Sequence, residues 1–158
     1  MRPDREPVNG QGNLRGTGGT NVFTKIMTPV DLAHADRLGK ALKCSADLAK
    51  LYQIPVVYVG VTSEIPGSVA HTPAEYAGKL SDFARAQAEA EGIQSSAHSV
   101  VCHDPTIELD EALLRAVTET EADLVVMASH VPGLTDYIWP SNGGKVAAHA
   151  KATVMVVR

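Results

Sequence analysis

The sequence predicts an α/β fold: a single doubly wound, five-stranded parallel sheet in the order 3-2-1-4-5, with helices on both faces. Three observations lead there. Short apolar runs alternate along the chain with longer segments of helical period, the pattern of β-α-β units. The second run, residues 55–61, is continuously apolar, as a parallel strand covered on both faces should be. The chain has 158 residues, 44% hydrophobic and 20% charged, which fits one globular domain with one sizeable core.

Each element has its own local warrant. Residues 1–21 are rich in Gly, Asn, Arg and Pro and have no hydrophobic period. Their glycine run lacks the preceding strand and following helix that a phosphate loop needs. The expectation is a disordered extension or a remnant of expression cloning, with the domain occupying residues 22–158. Residues 23–30 form the first strand, ending in Pro29, Val30 and Asp31. A helix follows, with Leu38, Ala41, Leu42, Cys44, Ala46, Leu48, Ala49 and Leu51 as its apolar stripe. Residues 55–61 are the second strand, and residues 63–72 a loop. Pro73 opens an Ala-rich helix that Gly92 closes.

Residues 96–102 are a third, more polar strand, expected at the sheet edge. Asp104 and Pro105 cap and open a helix running to about Thr120. Residues 123–129 are the fourth strand. A loop at 130–140 precedes a helix at 141–150, and residues 153–157 are the last strand.

Composition removes several classes of function. A net charge of -4 leaves no basic excess for phosphate backbones, so no nucleic-acid partner is expected. No apolar run is long enough to span a bilayer, and no membrane insertion is expected. The N-terminus lacks the apolar stretch of a secretory signal. Cys44 and Cys102 lie far apart without metal-ligand spacing and read as two reduced, mostly buried thiols of a cytoplasmic protein. The six histidines show no metal-binding spacing, and no carboxylate cluster could hold magnesium alone, so no metal is predicted.

In a doubly wound sheet the ligand sits beyond the carboxyl ends of the strands, where the winding reverses. With the order 3-2-1-4-5 that point lies between the first and fourth strands. It brings forward Pro29, Val30 and Asp31, and Ala128, Ser129 and His130. Asp31 can accept hydrogen bonds from a ribose or an adenine amino group, and equally can cap the helix that follows. Ser141, Asn142 and Gly143 open the last helix, where unpaired N–H groups suit a phosphate, although plain capping explains them as well. His130 can hydrogen-bond a phosphate or order its loop. Neither a Walker-type phosphate loop nor a nucleophile elbow is present.

Residues 25–31, the Ala-rich helix and residues 56–61 resemble the opening of the universal stress proteins. Residues 123–130 and 149–158 are similar to that family's last third. The resemblance covers residues 23–158. Nucleotide-binding members carry Gly-x2-Gly-x9-Gly-Ser/Thr after the fourth strand. Here Ala128, Val131 and Pro140 stand at the glycines, Ser141 keeps the hydroxyl, and the loop is one residue shorter. A branch with Ala-Ser-His-x-Pro, then a Tyr, then Gly-Ser-Asn is matched by residues 128–132, Tyr137, Ser141 and Asn142, with Pro140 for the glycine. Pro140 has no N–H to offer a phosphate, so weak ATP affinity, or a preference for AMP or a smaller anion, is expected.

The resemblance implies a stress-response regulatory module that binds ATP or AMP in the cleft between strands 1 and 4. Asp31 would contact the adenosine and the Val61 backbone the adenine. Ala128, Ser129, His130 and Gly133 would line the loop side, and Ser141, Asn142 and Gly143 would meet the phosphates. Magnesium would enter only if carried with nucleotide. The resemblance also implies a homodimer through the last strand, whose apolar residues 153–157 invite edge pairing. The alternative is a dimeric stress protein that binds no nucleotide and acts through protein–protein interaction, its cleft closed by Val131, Tyr137, Trp139 and Pro140. No enzymatic activity beyond, at most, a slow ATPase is expected: hydrolysis needs a positioned water, a base and usually a metal, and His130 and Asp31 have no evident partner.

Overall fold

The structure is a computed structural model and describes residues 21–129 and 142–158. The strands are β1 (Ile26–Pro29), β2 (Val56–Ser63), β3 (Ser95–Cys102), β4 (Leu124–Ala128) and β5 (Thr153–Val157). The helices are α1 (Gly39–Tyr52), α2 (Pro73–Glu91), α3 (Pro105–Thr120) and α4 (Asn142–His149). The five strands form one sheet in the order β3-β2-β1-β4-β5, and every pairing is parallel. The predicted fold class and strand order are therefore observed. The expectation for residues 1–20 lies outside the described residues.

The period-2 geometry of strands divides the core into two layers. Ile26, Val56, Tyr58, Leu124 and Val126 face α1 and α2, where Leu42 and Leu80 complete one cluster. Met27, Val57, Val59, Val125 and Met127 face the other way and pack with Leu113 of α3 and Val146 of α4. The three central strands are thus apolar on both faces, which is why residues 55–61 read as a continuous run. β3 sits at an edge and is mostly half-exposed, in keeping with its polar sequence.

Two features differ from the sequence expectation. The chain does not pass from β1 straight into an α-helix. Residues 32–38 form a 3₁₀ segment whose His34 departs from helical angles (φ -131°, ψ 31°). Leu51, counted in the apolar stripe, is 72% exposed. It lies two residues beyond buried Ala49, about 200° around the helix, and so points away from the sheet. The core face of α1 includes Ser45 instead, fully buried, whose hydroxyl meets that of Thr28 in β1 at 2.7 Å.

The helix ends are set as the sequence indicates. Thr72 caps α2 by accepting from the Glu75 N–H (3.1 Å), while the Glu75 carboxylate accepts from the His71 N–H (2.9 Å). The Lys79 ammonium, then that backbone bond, hold the Glu75 carboxyl down at about 2. Gly92 closes α2 at φ 65°, where a Cβ would be strained. Asp104 caps α3, accepting from the Thr106 N–H at 2.9 Å.

At the start of the strands, Asp123 joins β1 to β4. Its carboxylate accepts from the Thr24 N–H (2.9 and 3.0 Å), the Thr24 hydroxyl (2.8 Å) and the Lys25 N–H (3.1 Å). Burial raises the Asp123 pKa, but these hydrogen bonds outweigh it and leave the carboxyl below its ordinary value.

Candidate functional site

At the carboxyl side of the sheet β1 parts from β4. The β1–β4 ladder pairs only Ile26 with Leu124 and Met27 with Val125. β1 nevertheless continues beside β2 through Pro29↔Val59, and the Val30 N–H donates to the Val59 carbonyl at 2.8 Å. Pro29 has no N–H to extend the ladder toward β4. The chain thus reaches Asp31 at the carboxyl rim of the sheet, at the point where its winding reverses.

A cavity of about 340 Å³ lies at this rim, near the lower end of the ~300–1,000 Å³ usual for small-molecule sites. Val30, Asp31 and His34 line it from the end of β1, and Val61, Thr62 and Ser63 from the end of β2. The loop after β2 adds Ile65 and residues 67–70, α2 adds Tyr76, and the start of α3 adds Pro105 and Leu109. The walls are largely apolar, with a few convergent polar groups, which is the usual make-up of a binding pocket.

Asp31 is committed on both oxygens. Oδ1 accepts from the Ala33 N–H at 3.0 Å, capping the 3₁₀ segment, and Oδ2 meets His34 Nδ1 at 2.7 Å. A carboxylate has about four lone-pair sites, so acceptor capacity remains for a ligand in the cavity. The capping and ligand-facing readings of Asp31 are compatible in one geometry.

The Tyr76 ring is buried beneath the cavity and packs against Gly60 of β2. A Cβ at Gly60 would lie 2.5 Å from the Tyr76 hydroxyl oxygen, so only glycine leaves room for the phenol. Burial, and secondarily the charge of Asp31, raise the Tyr76 pKa, so the hydroxyl stays protonated at neutral pH.

The Cys102 thiol at the end of β3 donates to the Thr62 carbonyl (3.7 Å), and burial, then Glu108, push its pKa up. A thiol so placed is a poor nucleophile. Cys102 is buried and Cys44 half-buried, and both are free. Among the described residues, no group of three or more His, Cys, Asp or Glu side chains could hold a metal ion. No helix among them is long and apolar enough to cross a membrane.

The model of the universal stress protein family matches residues 23–158. The chain belongs to this family. A universal stress protein from Archaeoglobus fulgidus has a similar fold, at TM-score 0.64 and 21% identity, covering 87% of this chain and 100% of that one. The Archaeoglobus fulgidus universal stress protein in complex with dAMP gives TM-score 0.61 and 21% identity over 87% of this chain and 99% of that one. A universal stress protein in complex with cAMP gives TM-score 0.62 and 18% identity over 86% and 97%.

The residues expected to form the site of this universal stress protein domain are only partly brought together. Val30, Asp31 and Val61 line the cavity. Pro29 is buried in β1 just before it. Ala128 and Ser129 lie at the end of β4, where the Ser129 N–H donates to the Val157 carbonyl at 2.7 Å; among the described residues they are not part of the cavity wall. Asn142 and Gly143 open α4. The expectations for His130, Gly133 and Ser141, and for the loop residues Val131, Tyr137, Trp139 and Pro140, lie outside the described residues.

His34, Tyr76 and the 67–70 loop were not anticipated. His34 follows Asp31 by three residues, the spacing of one helical turn, and that spacing was a legible signal. For Tyr76 the signal was Gly60, a glycine inside a strand, which marks a close approach by another group.

Proposed function

We propose that this protein is a stress-response regulatory module of the cytoplasm that binds an adenine nucleotide, ATP or AMP, and acts as a homodimer. The observation that carries the proposal is the convergence of Asp31 and Val61 on one cavity at the carboxyl ends of β1 and β2. In this reading the base and ribose occupy the cavity. The Asp31 carboxylate accepts from the ribose hydroxyls, and the Val61 backbone meets the adenine edge. The cavity volume suits a nucleoside rather than a whole triphosphate, so the phosphates extend from it toward the first turn of α4, which Asn142 and Gly143 open. A helix start offers N–H groups and the positive end of its dipole to an anion. Two proteins of the same fold are in complex with dAMP and with cAMP, both adenine nucleotides, which supports the choice of base.

The homodimer is supported by β5. It is the edge strand beyond β4, and its Met155 and Val156 are 38% and 39% exposed. An apolar edge of this kind favours pairing with a second copy.

Calorimetric titration with AMP, ATP and cAMP, together with the absorbance of any small molecule released on denaturing the purified protein, tests the nucleotide reading. Saturable one-site binding, or a released ligand with an adenine spectrum, is expected. Absence of both would leave a dimeric interaction module that binds no nucleotide.

A further inference from the structure

One wall of the cavity carries a hydrogen-bond donor that has no partner among the described residues. Tyr76 is only 5% exposed, yet it lines the cavity. Its hydroxyl makes no hydrogen bond among the described residues. It differs from Tyr58, whose hydroxyl is sealed from solvent on the α2 side of the sheet with its ring edge-on to Phe83. The Tyr76 hydroxyl opens on the cavity instead.

Its position is also built. α2 starts at Pro73 under the Thr72 cap, which fixes the first turn and with it Tyr76, whose own N–H donates to the Thr72 carbonyl at 3.0 Å. Gly60 then admits the ring against β2, where any side chain would collide with the phenol. A buried polar group left without a partner is unfavourable by an amount comparable to a lost hydrogen bond. A phenol held this firmly and left unpaired is therefore completed by what enters the cavity.

We propose that Tyr76 is a specificity-determining residue of the ligand site, its hydroxyl donating to an acceptor on the base–ribose portion of an adenine nucleotide. The inference rests on the nucleotide reading given above and deepens it. Adenine presents ring nitrogens that accept, and the ribose presents oxygens that accept. The protonated phenol supplies the donor, while Asp31 across the same cavity supplies acceptors. The two groups thus read complementary features of one nucleoside. Because the contact is to the nucleoside, its contribution does not depend on the number of phosphates.

The test compares wild type and Tyr76→Phe in binding of adenosine, AMP and ATP, with the melting temperature of each ligand-free protein. Tyr76→Phe keeps the ring in place and removes only an unpaired hydroxyl, so the ligand-free melt should be no lower than that of wild type. Affinity should fall about tenfold, the value of about one hydrogen bond, and by the same factor for all three ligands. Gly60→Ala gives an independent perturbation that leaves the hydroxyl intact and forces it to move, and it too should weaken binding of all three.

Wild-type binding with unchanged affinity in both variants overturns the role of Tyr76 and leaves the nucleotide reading standing. A loss that grows with phosphate number overturns the placement at the base–ribose end. Absence of binding to wild type overturns both.

Discussion

Replacing Asp31 by asparagine and by alanine separates its two jobs. In the structure one oxygen caps the 3₁₀ segment at the Ala33 N–H and the other holds His34. Losing an N-cap costs about 1 kcal/mol. The His34 pair is partly exposed, with side-chain accessibilities of 32% and 22%, and contributes about 0.2–1 kcal/mol. Asp31→Ala should therefore destabilise the ligand-free domain by about 1–2 kcal/mol, a fall in melting temperature of about 3–8 °C for a chain of this size. Asparagine caps as well as aspartate, so Asp31→Asn should fall by no more than about half that.

Binding should rank differently. A hydrogen bond to a charged acceptor is worth about 1.5–3 kcal/mol, so Asp31→Ala should weaken AMP binding about 10- to 150-fold. Asp31→Asn replaces one acceptor face with a donor and should still lose about tenfold. The assay is a thermal melt by circular dichroism without ligand, followed by calorimetric titration with AMP. An Asp31→Asn protein that melts as low as Asp31→Ala would refute the capping argument. Wild-type affinity in Asp31→Ala would refute the ligand contact.

Further predictions concern the scaffold. Asp123→Ala should destabilise by about 2 kcal/mol, since it unpairs the Thr24 and Lys25 groups. The Asp123 carboxyl is depressed in the folded state, so its contribution is full above the unfolded value near pH 4 and is lost as pH falls through the folded value. Acid denaturation curves should accordingly be shallower below pH 4 in Asp123→Ala than in wild type. Ser45 donates to the Ala41 carbonyl (2.9 Å), so the bond at 2.7 Å is donated by Thr28. Ser45→Ala then strands a buried Thr28 hydroxyl and should cost about 1–3 kcal/mol, while adding Thr28→Val should recover part of the loss in urea melts. Val156→Asp should convert a dimer to a monomer in sedimentation without altering the ligand-free fold; a wild-type monomer would remove the edge-pairing argument.

The topology was legible because its signals are local and repeated. Apolar runs, the Pro73 and Pro105 helix starts and the Gly92 stop each act over a few residues, and the parallel order follows from their alternation. β3 was read as an edge from its polarity alone. Side-chain partnerships between distant segments were not legible. Ser45 is a core residue only because Thr28 meets it across the α1–β1 contact, and Leu51 is apolar yet exposed, so hydrophobicity by itself misplaced both. The site divided along the same line. Asp31 was found because sheet topology puts it at the rim, and Val61 because the family resemblance implied it. Tyr76 comes from a helix whose approach depends on the conformation of the preceding loop, and only Gly60 betrayed it.

The account turns on where the nucleotide sits. Backbone amide NMR spectra of the labelled protein, titrated with AMP, report that position residue by residue. Saturable shifts are predicted at Asp31, His34, Val61 and Tyr76, with Gln53 and Gly92 at the far end of the sheet unmoved. Spectra that do not change up to millimolar AMP, or changes confined to that far end, would contradict it.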